Sequence, residues 1–135
     1  MARACRNFMA LILYAGLDRA LMQTRRMILQ GAGHKTIGAA DENEFVAACQ
    51  SHSFHIILLS QTLPSVLKLR LSAIARRLRP GAKVLELYAS HLGRTIRDAD
   101  DWLDTPLDSP GELAARIDWL LSRQDRAAGA GSSSV

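Results

Sequence analysis

The sequence predicts a doubly wound α/β domain, a five-stranded parallel sheet with helices on both faces. Short apolar runs and amphipathic helical segments alternate along the chain, and that alternation implies parallel strands joined by helical crossovers. The run Phe54–Leu59 is rich in branched residues and too short for a stable helix, so it reads as a central strand buried on both faces. At 135 residues and 48% apolar composition, the chain has room for one domain with one real core.

Residues 1–8 are polar and basic and read as a disordered lead, with Met9 as a second candidate first residue. Arg3 and Arg6 ahead of Phe8–Leu13 resemble a short signal peptide, but the small-residue cleavage site is poor and a buried strand explains the same apolar run. Ala10–Tyr14 is the first strand, and Asp18 is placed to cap the first helix. That helix carries Leu21, Met22, Arg25, Ile28 and Leu29 at helical spacing and stops at Gly31-Ala32-Gly33. Lys35–Gly38 is a short strand suited to an edge. Asp41-Glu42-Asn43-Glu44 opens a second helix, where acidic residues suit the dipole and need no ligand. After the central strand, a third helix runs from Ser65 to Arg79 and is ended by Pro80-Gly81. Val84–Tyr88 is the fourth strand, Ala89–Arg97 holds a turn or two of helix, and Asp101–Asp104 is the fifth strand. Asp108-Ser109-Pro110 starts the last helix, with Leu113, Ile117, Leu120 and Leu121 on its apolar stripe. The ordered domain is thus 9–123, followed by a Gly-, Ala- and Ser-containing tail at 124–135 that reads as disordered.

Scarce aromatic residues weigh against a stacking surface for single-stranded nucleic acid. The net charge of +4 is mild and selects no partner. Two cysteines, Cys5 in the lead and Cys49 in a helix, suit a reducing, cytoplasmic setting better than a disulfide. No run is long enough to cross a bilayer.

From Leu11 to Ser122 the chain resembles the receiver domain of two-component response regulators, a flavodoxin- or CheY-like three-layer sandwich. The resemblance rests first on Asp100-Asp101-Trp102-Leu103-Asp104-Thr105-Pro106-Leu107-Asp108-Ser109-Pro110-Gly111-Glu112-Leu113, which is similar to the family's fifth strand, lysine–proline step and last helix. Ile56–Pro64 matches the third strand, the phospho-acceptor position and the proline four residues later, and the opening strand and helix end suitably at Gly33. The resemblance implies a magnesium-binding acid pair, an acceptor aspartate, a Thr or Ser, and a lysine. Carried across, the acid pair falls on Gly16 and Leu17, the acceptor on Ser60, the hydroxyl on Tyr88 and the lysine on Thr105, and none keeps the family's residue type. A slip of one residue toward Asp18 would restore one carboxylate without replacing the other metal ligand or the acceptor. Neither magnesium nor any other cofactor is expected, and no catalytic residue: Ser60 reads as a strand end with a local hydrogen bond. The fourth helix is shorter than the family's and the third longer, so a partner surface is remodelled.

Lys68, Arg70, Arg76, Arg77, Arg79 and Lys83 form a basic stretch, read as a solvated face paired with acids in preference to a nucleic-acid patch. Asp98, Asp100, Asp101, Asp104 and Asp108 form an acidic segment without the glycine and terminal glutamate of a calcium loop. The two regions suit self-association as a homodimer or a charged partner, with Trp102, Asp104, Arg76, Arg77 and Arg79 as the candidate interaction surface. Glu86 interrupts a buried strand and needs a cation or several donors, a role suited to a basic side chain of the third helix. His52 and His55 lack assured helical metal-ligand geometry, and Tyr14 and Tyr88 are expected to fill the vacated site together. The sequence therefore reads as a stand-alone pseudo-receiver: not an enzyme, but a protein-binding module for a histidine kinase or another regulator in a two-component phosphorelay. The alternatives are a module for a small anionic ligand, held by the Gly16 backbone and Thr105, and a nucleic-acid-associated module.

Overall fold

The computed structural model describes residues 9–107 and 109–134, with side chains to Arg123. Five strands and four helices follow in the order β1 (Leu11–Ala15), α1 (Arg19–Gly31), β2 (Lys35–Ala39), α2 (Glu42–Ser51), β3 (Ile56–Leu59), α3 (Ser65–Leu78), β4 (Lys83–Ala89), β5 (Asp101–Thr105) and α4 (Pro110–Ser134). The sheet is parallel throughout, with strand order β2-β1-β3-β4-β5. The doubly wound architecture is therefore the one the alternation predicts, with β3 central and β2 at an edge. The expected lead at 1–8 lies outside the described residues. The backbone of α4 runs on to Ser134 where a disordered tail is expected from Gln124; the side chains of that stretch lie outside the described ones.

Successive strand residues point to opposite faces and divide the core in two. Leu13, Ala15, Ile57, Leu59 and Val84 pack against Phe45 and Cys49 of α2 and Leu71 and Ala75 of α3. Ile12, Tyr14, Ile56, Leu58, Leu85 and Leu87 pack against Met22 and Leu29 of α1 and Leu113, Ile117 and Leu120 of α4. All four residues of β3 are fully buried, which is why that segment carries no polar alternation. Asp18 accepts from the Leu21 N–H and caps α1. At α2, Asp41 accepts from the Glu44 N–H while the Glu44 side chain accepts from the Ala40 N–H, a reciprocal cap that absorbs the acidic cluster. Cys49 is free and buried, and burial pushes its thiol pKa up, opposed by the nearby Arg79 guanidinium.

The segment between β4 and β5 departs from expectation: it contains turns and no helix. Glu86 is the reason. Its carboxylate, fully buried, accepts from the backbone N–H groups of Thr95 (2.8 Å) and Ile96 (2.8 Å), donors that a helix would have used itself. Gly93, at φ +81°, turns the chain ahead of them. The Lys68 ammonium of α3 closes the arrangement, 3.0 Å from Glu86 Oε2 and 2.9 Å from the Leu87 carbonyl. The pairing of Glu86 with a third-helix base is thus as the strand pattern implied.

The basic stretch is dispersed by its acids. Arg70 pairs with Glu42, Arg76 with Asp98 and Asp100, and Lys83 approaches Asp100 at 4.0 Å. Arg79 donates to the Cys49 and His52 carbonyls, which leaves Arg77 as the exposed member without such a partner among the described residues.

Lys68→Met strands a buried carboxylate and is expected to lower the unfolding free energy by about 3–5 kcal/mol, read from urea unfolding. Arg70→Ala, which removes a surface pair, should cost less than about 1 kcal/mol in the same assay.

Candidate functional site

The site lies where β1, β3, β4 and β5 end, the crevice at which open parallel sheets place their chemistry. Ser60 follows β3 and is fully buried on the α1 side of the sheet, directly beside Tyr14 of β1. Its hydroxyl is saturated. It accepts from the Tyr14 O–H (3.4 Å), from the Thr62 N–H (3.3 Å) and from the Thr62 hydroxyl (3.2 Å), and it donates to Gln61 Oε1 (3.2 Å). The backbone N–H of Leu17 donates to Thr62 Oγ1 at 2.9 Å and ties the end of β1 to the same knot.

Arg25 completes it. The side chain leaves the middle of α1, is only 5% exposed, and donates through Nη1 to Tyr14 Oη (2.9 Å) and Gln61 Oε1 (2.8 Å). Both acceptors are neutral, and among the described residues no carboxylate pairs with this guanidinium. The strand ends therefore carry a cation bonded to neutral side chains.

Gly16 is needed here for space. A Cβ at that position would lie 3.0 Å from Ser60 Cβ, 3.1 Å from Tyr14 Cε1 and 3.2 Å from Thr62 Oγ1. Leu17 points out and is half exposed. Thr105 is buried, donates to the Tyr88 carbonyl at 3.0 Å and precedes a cis peptide to Pro106. Gly16, Leu17, Ser60 and Thr105 thus do gather at the strand ends.

Tyr88 does not join them in the way expected. β3 lies between β1 and β4, so Tyr14 and Tyr88 do not end adjacent strands, and they face opposite sides of the sheet. Of the two, only Tyr14 lies beside Ser60 and Arg25; Tyr88 is covered by Arg94, whose guanidinium is 5.7 Å from its ring centre. Arg94 also stacks at 4.5 Å on Trp102, whose indole N–H donates to the Ile96 carbonyl. Asp104 is exposed and bonds to Ser90.

Magnesium does not fit this donor set. A hard divalent cation takes carboxylate oxygens, whereas the residues offered here are hydroxyls and an amide already bonded to a guanidinium. Asp18 spends its carboxylate on the α1 cap. Among the described residues no group of three His, Cys, Asp or Glu side chains could hold a metal. His52 is exposed, and His55 Nδ1 accepts from the Leu11 N–H.

Arg25, Gln61 and Thr62 are the residues that sequence reasoning missed. Arg25 carried a signal: it is a charge on the apolar stripe of α1, between Leu21 and Ile28.

No protein-family model and no curated protein matches the chain. Its fold, however, is that of CheY-like response-regulator receiver domains. The CheY-like receiver domain protein from Methanospirillum hungatei superposes with TM-score 0.75 at 24% identity, covering 89% of this chain and 99% of that one. The chemotaxis response regulator CheY4 of Vibrio cholerae gives 0.71 at 21% identity, covering 84% and 99%. The response regulator TrrA of Thermotoga maritima, solved in complex with magnesium and BeF, gives 0.71 at 20% identity, covering 83% and 99%.

Gly16→Ala is expected to destabilise the protein by about 1–3 kcal/mol, because Ser60 and Tyr14 are too tightly packed to give way. A thermal melt against wild type measures the loss.

Proposed function

We propose that this protein is a degenerate receiver, a pseudo-receiver that works in signal transduction by binding other proteins and is not switched by aspartyl phosphorylation. One observation carries the reading: Arg25, bonded to Tyr14 and Gln61, sits among the side chains where a receiver would gather its carboxylates. Phosphoryl transfer needs a nucleophile and a metal to spread the developing charge. Ser60 has its lone pairs and proton engaged, and among the described residues it bonds to no base.

On this reading the function lies on the faces of the fold. The partner is a histidine kinase or another regulator of a two-component system, with self-association as a further mode. The segment 90–100 and β5 are the face we assign to it. Leu92 is 75% exposed there, next to the Arg94–Trp102 stack and Asp104. The basic stretch contributes Arg77; Arg76 and Arg79 are held by Asp98, Asp100 and backbone carbonyls, which favours protein over nucleic acid.

Acetyl phosphate with magnesium is expected to leave the protein unlabelled by intact mass, and beryllofluoride should leave its melting temperature unchanged. Ser60→Asp should also stay unlabelled, since Gly16 and Leu17 still offer no metal ligand; stoichiometric labelling of wild type would refute the reading. Affinity capture should recover a two-component protein that Leu92→Glu no longer binds.

A further inference from the structure

A cleft of about 600 Å³ opens beside Arg25, between α1, the strand ends and the start of α4. Arg25 and Gln61 line one side. Leu21, Pro106, Leu107 and Pro110 give it an apolar wall, with Thr105 between them. The volume falls in the range of sites that enclose small organic ligands.

Arg25 differs from the other deeply buried cation of the fold. Lys68 has the Glu86 carboxylate; Arg25, 5% exposed, has only the Tyr14 hydroxyl and the Gln61 amide oxygen. Both of those bonds use Nη1. Its Nε and Nη2 donors bond to nothing among the described residues, and no described acid lines the cleft. A buried charge without a counter-ion is unfavourable in proportion to its isolation, and an anion that enters relieves it. The planar guanidinium fork matches an oxyanion with two parallel acceptors.

We infer that the cleft binds a small amphipathic carboxylate, with its head on Arg25 and its apolar body against Leu21, Pro106 and Leu107. Among the described residues Arg25 is the one guanidinium lining the cleft and no acid lines it, so a singly charged carboxylate matches it, whereas a phosphate dianion would bring a second negative charge. The inference rests on the loss of acidic groups from this end of the sheet, but not on any protein partner.

The test titrates benzoate, hexanoate and inorganic phosphate separately into the full chain, followed by heteronuclear NMR and thermal melting. Benzoate or hexanoate is expected to shift the amides of Leu21, Thr105 and Leu107 saturably and to raise the melting temperature, with phosphate bound about tenfold more weakly or less. Arg25→Gln should weaken carboxylate binding about tenfold or more. Leu107→Glu, which puts a like charge at the wall, provides the same loss should Arg25→Gln fail to fold. No saturable shift with either carboxylate, binding that both variants leave intact, or tighter binding of phosphate would overturn the inference. A protein that ignores carboxylates and acetyl phosphate alike would overturn this inference alone; labelling by acetyl phosphate would overturn the pseudo-receiver reading.

Discussion

The structure at the strand ends depends on one placement, the Arg25 guanidinium among Tyr14, Gln61 and the buried Ser60. A fixed cation in that position is incompatible with a second, divalent cation beside it unless carboxylates stand between them, and none of the residues in this network is acidic. The neighbouring residues fit that constraint. Tyr14 passes a hydrogen bond from Arg25 to Ser60, Gln61 accepts from both Arg25 and Ser60, and Gly16 leaves the space in which Tyr14 and Ser60 approach. Tyr14, Ser60 and Gln61 are therefore tied to Arg25 through a single hydrogen-bond network that Gly16 leaves room for.

The opposite face of the sheet holds the second buried ionic group, and it is solved differently. Glu86 meets Lys68 directly and takes two backbone N–H groups besides, so its charge is fully answered. Such a pair contributes little net stability against an apolar alternative, but removing either partner is costly. Here it also fixes the course of the chain between β4 and β5, holding Thr95 and Ile96 where a helix would otherwise form. That segment presents Leu92 and the Arg94–Trp102 stack to solvent. The internal salt bridge thus shapes the outer face assigned to a partner.

The fold was legible in the sequence because buried parallel strands must be short apolar runs, and Ile56–Leu59 and Val84–Tyr88 are such runs with helical stripes between them. Glu86 was legible for the same reason, since a carboxylate in a buried strand demands a cation. Arg25 was not, although it lies on the buried stripe of α1: long side chains snorkel, and spacing alone does not tell a guanidinium that reaches solvent from one that is held at a strand end. Tyr88 was misplaced because its partner depends on strand order, and β3 stands between it and Tyr14. The missing helix between β4 and β5 could not be read from local propensity, because its backbone donors are taken by a side chain nine residues earlier in the chain.

On the proposed reading, a cationic network stands at the strand ends where receivers hold an acidic, metal-binding site. A magnesium titration followed through the backbone amides of Gly16, Leu17, Ser60 and Gln61 tests it most directly. The account predicts that these resonances stay where they are across millimolar magnesium, apart from the uniform drift of ionic strength. A saturable, localised shift of those amides, absent with an equal ionic strength of sodium chloride, would contradict it.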